Sequence, residues 1–134
     1  TLTVPAATEN VITFGGYDNV TNAFYPKSGR GFTRENRIKP DMTAPAVNVY
    51  GPGISGGYTR RTGTSVACAL GAGACAQILQ WGIVEDNEPY MKNNYIKNYL
   101  IRGAERNRDI RYPSEQWGYG TINVFDSFLI LTRT

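Results

Sequence analysis

The sequence predicts an α/β fold: a doubly wound parallel sheet around one central, buried helix that starts near Ser65. Three observations carry this. From Arg60 to Trp81 the chain reads RRTGTSVACALGAGACAQILQW, with no charge between Arg61 and Glu85. A helix-compatible run that is apolar on every face belongs inside a core, not on a surface. Short β-rich segments precede the run and an amphipathic helical segment follows it. Two or three short strands cannot wrap such a helix on all sides, whereas a doubly wound parallel sheet can.

The elements follow in order. Residues 1–8 are polar and carry Pro5, and they form a leading segment. Val11-Ile12-Thr13-Phe14-Gly15-Gly16 predicts a strand ended by glycines. Asp18 to Pro40 predicts a loop in which Lys27, Arg30, Arg34, Arg37 and Lys39 face a single acid, Glu35. That cluster, without interleaved aromatics beyond Phe32, is a solvated loop or rim and not a nucleic-acid site. Ala46-Val47-Asn48-Val49-Tyr50 predicts a second strand. Gly51 to Gly56 fits G-x-G-x-x-G, but Pro52 lies inside it and no helix opens there, so it reads as a glycine-rich turn instead of a dinucleotide site. Gly56 to Thr59 reads as briefly extended.

At the start of the apolar run, Gly63-Thr64-Ser65 places Thr64 as helix cap and Ser65 in the first turn. Backbone N–H groups are unpaired there and the macrodipole is positive. A serine in that position lies beside an anion site, as acyl transfer requires of its nucleophile. An ordinary hydroxyl cap on a core helix explains the same residues, and this stretch alone leaves both readings open. Cys68 and Cys75 are seven apart on the helix, roughly 10 Å between Cα atoms, too far for a disulfide, so both are read as buried free thiols. Gly82 reads as the C-cap. Asn94 to Ala104 is an amphipathic helix, Glu105 to Pro113 a charged loop, and Trp117-Gly118-Tyr119-Gly120 a tight turn. Asn123 caps a last helix.

Composition narrows the function. A chain of 134 residues with 41% hydrophobic and 19% charged residues and 15 glycines can build a real core. A net charge of +3 is too small to call for nucleic acid. The apolar run reads as too short and too rich in Gly and Ala for a membrane span. No signal peptide is seen at Thr1, whose position at the start reads as a cleaved or excised piece. There is no histidine, so no Ser-His, Cys-His or His-metal site can be completed within these residues. No calcium-loop spacing is evident, and no metal or cofactor is expected. A Ser–Lys pair would be the remaining chemistry, and no lysine lies within 20 residues of Ser65.

Four segments in register resemble the C-terminal part of the subtilisin-like serine protease domain. Glu9 to Gly16 is similar to a family strand. Lys39-Pro40-Asp41-Met42-Thr43-Ala44-Pro45 resembles its K-P-D-x-x-A-P segment. Gly63-Thr64-Ser65-Val66-Ala67 matches its G-T-S-x-A nucleophile motif, and Trp117 to Asn123 its W-G-x-G-x-[IVL]-[ND] close. Ala69 to Ala76, Gln80 to Val84, Tyr99 to Ala104 and Gln116 to Gly120 look more narrowly like the clostridial spore-germination proteases, the Csp group, in which a segment similar to Thr1-Leu2-Thr3-Val4-Pro5 resumes the protease after an inserted jelly-roll domain. Ala69 and Leu70 replace the family's proline and histidine, and Ala46 a glycine; none of these touches the nucleophile.

The resemblance implies that residues 1–134 are the C-terminal portion of one peptidase domain. Ser65 would be the nucleophile, with its backbone N–H donating to the oxyanion. The Asp, His and oxyanion Asn would lie upstream of Thr1, so the chain alone is expected to be inert and to be held noncovalently to its N-terminal part, possibly also to a prodomain. The implied activity is limited proteolysis of a protein substrate, activating a spore cortex lytic proenzyme, with the spore as location. A pseudoprotease serving as sensor or scaffold is the alternative, since some members of the group lack triad residues.

Overall fold

The computed structural model describes residues 2–133; Thr1, the first residue of the segment said to resume the protease, lies outside the described residues. Strand β1 is Phe14–Asp18, β2 Ala23–Phe24 and β3 Met42–Pro45. They form one sheet in the order β2-β1-β3. β1 and β3 run parallel, with Phe14 opposite Met42 and Gly16 opposite Ala44, and β2 is antiparallel to β1. A parallel bridge between Thr43 and Thr121 continues the sheet past β3. A separate antiparallel hairpin is built from β4, Val49–Pro52, and β5, Tyr58–Arg61. The class is α/β, with its parallel register in β1, β3 and the Thr121 bridge.

The expected strand at Ala46–Tyr50 is corrected in part. Its first three residues join β3 to β4, with Asn48 turning the chain at φ 50°, and its last two, Val49 and Tyr50, open β4. A further strand, β3, lies earlier, directly after Lys39 and Asp41, whose charges pair inside the protein. The first strand also starts later than expected, at Phe14, since Thr13 is engaged with Asp41 and the Ala6 carbonyl. The glycine-rich stretch is a turn, closed by Gly53 N–H donating to the Gly57 carbonyl at 2.9 Å.

Helix α1 spans Thr64–Leu79 and continues as a π-helical turn over Gln80–Val84. Gly82 does not end it. That glycine is buried within the turn, where a Cβ would come 2.8 Å from Met91 Cε; Glu85 closes the helix instead. α1 rests on β1 and β3 through Ala67, Gly71, Ala74 and Ile78, one stripe of its surface. Within this chain the helix is therefore not buried on all sides: Cys68, Ala69, Leu70, Ala72, Gly73 and Ala76 are exposed. The two cysteines are free as expected, yet Cys68 is exposed and Cys75 only half-buried. Burial, and secondarily the neighbouring Cys68, push the Cys75 thiol up from its ordinary value. From Thr64 to Val84 the helix has 21 residues, enough by length and composition to cross a membrane. Its packing on the sheet gives the same composition a place in a protein core.

α2, Asn93–Gly103, and α3, Val124–Thr132, pack on each other. Gly103 is the point of contact, since a Cβ there would run into the backbone of Ser127. Asn123 caps α3, its side-chain oxygen accepting from Asp126 N–H at 3.0 Å. One core joins the helices to the sheet through Met42, Ile78, Met91, Ile96, Leu100 and Leu131.

Candidate active site

The geometry around Ser65 is set by glycines. Gly63 is the helix N-cap, at φ 153°, a conformation that a side chain would oppose. This corrects the expected cap at Thr64, which is already helical and makes no capping hydrogen bond. Gly63 N–H donates to the Ala46 carbonyl at 2.8 Å, and its own carbonyl accepts from Val66 N–H at 3.0 Å. The turn is thereby tied to the end of β3. Gly16 of β1 makes room for it, since a Cβ there would stand 2.6 Å from the Ala46 Cβ and 3.5 Å from Thr64 Cγ2. Sequence and sheet together deliver residue 65 to the second position of the helix.

Ser65 is exposed, and among the described residues neither its hydroxyl nor its backbone N–H has a hydrogen-bond partner. No residue of the first helical turn is acidic. The arrangement thus holds a hydroxyl and an unspent N–H side by side at a positive helix end, the pair that an attacking oxygen and a developing oxyanion require. With no histidine in the chain, these residues supply nothing to take the hydroxyl proton. Among the described residues no group of three or more His, Cys, Asp or Glu is placed to hold a metal ion.

The K-P-D segment builds a support rather than a reactive group. Asp41 and Lys39 are each 1% exposed. Lys39 Nζ donates to Asp41 Oδ2 at 2.8 Å and to the Val11 carbonyl at 2.5 Å, and Thr13 N–H donates to the same Oδ2 at 2.7 Å. Lys97 Nζ of α2 stands 2.5 Å from Asp41 Oδ1 as a charge contact, off the alignment of a hydrogen bond. Burial pushes the Lys39 ammonium below the usual lysine range, and Asp41 partly restores it. Lys39 therefore leaves the solvated basic cluster to which sequence reading assigned it. Spacing had no means of finding this cluster, because its members come from just before β1, just before β3, and α2.

An α/β domain that presents a serine at a glycine-led helix end, beside a parallel strand pair, has the architecture of a serine peptidase. The Subtilase family model matches residues 1–120, and the chain belongs to that family, the subtilisin-like serine endopeptidases. It is similar to the structure of the Clostridium perfringens CspB protease, with 37% identity and a TM-score of 0.95 over 100% of this chain and 29% of that one. It is 30% identical to the membrane-bound transcription factor site-1 protease of Mus musculus, over 98% of this chain and 12% of that protein. The serine protease AprX of Bacillus subtilis is 27% identical, over 95% of this chain and 31% of its own length. The chain thus spans less than a third of the length of each of these three relatives.

Proposed function

We propose that this chain is the nucleophile-bearing portion of an active serine endopeptidase and that Ser65 attacks the substrate carbonyl. The observation that carries the reading is the turn itself, an exposed Ser65 with an unspent N–H, fixed to the sheet by Gly63 and Gly16. The Ser65 hydroxyl adds to the scissile carbonyl and its proton passes to a histidine supplied by polypeptide outside residues 1–134. The Ser65 N–H donates to the oxyanion of the tetrahedral intermediate, together with an upstream asparagine. Collapse of the intermediate expels the amine and leaves an acyl-enzyme, which water hydrolyses.

The partner in this reading is the N-terminal part of the same domain, in one chain or cleaved from it, possibly with a prodomain. The uncovered apolar side of α1 supports that. The finer role is limited proteolysis of a spore cortex lytic proenzyme, with action in the spore. It rests on the likeness to the CspB protease and on the Csp-like segments.

A fluorophosphonate probe applied to the full-length protein should modify Ser65. Ser65→Ala should abolish labelling and reduce kcat by about a million-fold, as loss of this residue does in one such enzyme. An unlabelled Ser65 in folded, full-length protein would sink the reading and favour the pseudoprotease. The partner has its own check: Cys68 should resist iodoacetamide in native full-length protein and react on unfolding. Fast native alkylation of Cys68 would show that nothing covers the helix.

A further inference from the structure

A cavity of about 210 Å³ lies beside Trp117, lined by Tyr17, Tyr112, Trp117, Glu105, Asn22 and Asn107 among others. It is smaller than the ~300–1,000 Å³ of ordinary ligand pockets, so it admits a group the size of one side chain. Its walls are held in place. The Tyr17 and Trp117 rings pack at 5.7 Å between centroids, tilted by 53°. The Tyr112 hydroxyl accepts from Asn107 N–H at 3.1 Å. Glu105 is fixed by its backbone, which exchanges two 2.9 Å hydrogen bonds with Thr121 and leaves the carboxylate unconstrained.

The charge balance is one-sided. Among the described residues Glu105 forms no ion pair, and no lysine or arginine lines the cavity. The nearest candidate in sequence, Arg106, is turned back onto α2, where its guanidinium donates to the Ile101 and Ala104 carbonyls. The Glu105 charge is felt at the Tyr17 hydroxyl, whose pKa is raised first by burial and then by that carboxylate. A lone carboxylate among aromatic rings repels anions, and an apolar guest would strip water from it without replacement. A cation instead meets both the carboxylate and the rings.

We propose that this cavity binds a side-chain-sized organic cation, a guanidinium or alkylammonium group. Its walls are already ordered, so little freedom is lost on binding. The cation can come free in solution or as a basic residue of a polypeptide, and the chemistry is the same for both.

The experiment is saturation-transfer NMR titration of the full-length protein with methylguanidinium, with N-acetylarginine methylamide, and with N-acetylnorleucine methylamide as the uncharged control. Binding of the first assigns a free cation, and binding of the second alone assigns a basic residue of a chain; both support the site. Glu105→Gln should weaken binding by up to about fivefold, the worth of an exposed ion pair. Tyr112→Leu should weaken it by about two- to fivefold, and Tyr112→Phe, which keeps the ring and loses the hydrogen bond from Asn107, should weaken it less than Tyr112→Leu. Glu105→Gln spares the backbone bridge and should keep the wild-type melting temperature. The site is overturned if neither cation binds, if the norleucine compound binds as well as the arginine one, or if Glu105→Gln binds like wild type. A Glu105→Gln protein that melts earlier while no added cation binds also overturns it, because the cavity is then filled by the protein's own residue.

Discussion

The two sides of α1 have the same composition and opposite surroundings. Towards the sheet, Ala67, Gly71, Ala74 and Ile78 are buried, and Gly71 lies so close to Phe14 that a Cβ would enter the ring. On the other side Leu70 is 41% exposed and a Cβ on Gly73 would meet nothing within 4 Å. A helix that is apolar all round requires two covers, and the described residues contribute one. The closed side packs into the core, and the sheet it rests on is anchored by the buried ion cluster next to β3. The open side carries Ser65. In the proposed reading the nucleophile therefore stands at the seam between this chain and the polypeptide that would cover the helix.

The closed side breaks most deeply at Asp41. Asp41→Ala leaves the Lys39 ammonium buried with only the Val11 carbonyl and the Thr13 hydroxyl, and removes the acceptor of Thr13 N–H. Stranding one member of a buried pair costs about 3–5 kcal/mol, so urea unfolding of full-length protein should show a loss of that order. Replacing both members, Lys39→Met with Asp41→Leu, should cost much less, since the charge it leaves without its partner, that of Lys97, is partly exposed. If the double variant is no better than the single one, the cluster does not owe its worth to charge pairing, and the closed side is held by packing alone.

Gly71→Ala tests the contact between helix and sheet. The added methyl overlaps the Phe14 ring, and overpacking of this kind costs about 1–3 kcal/mol. Helix propensity returns up to about 1 kcal/mol, leaving a net loss of about 1–2 kcal/mol in the same unfolding measurement. Phe14→Leu combined with Gly71→Ala should recover part of it. An unchanged stability for Gly71→Ala would mean that the sheet side of α1 is as loosely covered as the other.

How much of this was legible in sequence depends on the range of the interaction concerned. The apolar run, its opening at Gly63 and Ser65, the amphipathic helix around Ile96 and Leu100, and the Asn123 cap all follow from residues within a turn or two of each other. The strand at Met42 did not, because Lys39 just before it reads as part of a solvated basic loop until Asp41, Thr13 and the Val11 carbonyl enclose it. The exposed face of α1 was legible only in part, for a related reason. All-round apolarity tells that a helix is to be covered, but not which polypeptide covers it. At the site, Ser65 was visible through its glycine and its helix. Gly16, which gives the nucleophile turn its place against β1, and the Glu105 cavity were not, since both depend on how separate segments meet.

The smallest effect carries the sharpest test of the open side. Among the described residues nothing lies within 4 Å of a Cβ on Gly73. If that face met water, Gly73→Ala would stabilise the protein by about 0.5–1 kcal/mol, because alanine is the better helix former. The small residues around it, Ala69, Ala72 and Ala76, instead fit a cover that approaches the helix backbone closely. A methyl would then meet that cover, and the packing cost would exceed the gain in propensity. The expected outcome in full-length protein is therefore a loss of up to about 1 kcal/mol, with Gly73→Leu several times worse. The sign of the alanine variant decides the matter: a gain would place the open face of α1 in solvent in the complete enzyme, and the two sides of the helix would differ in fact as well as in this chain.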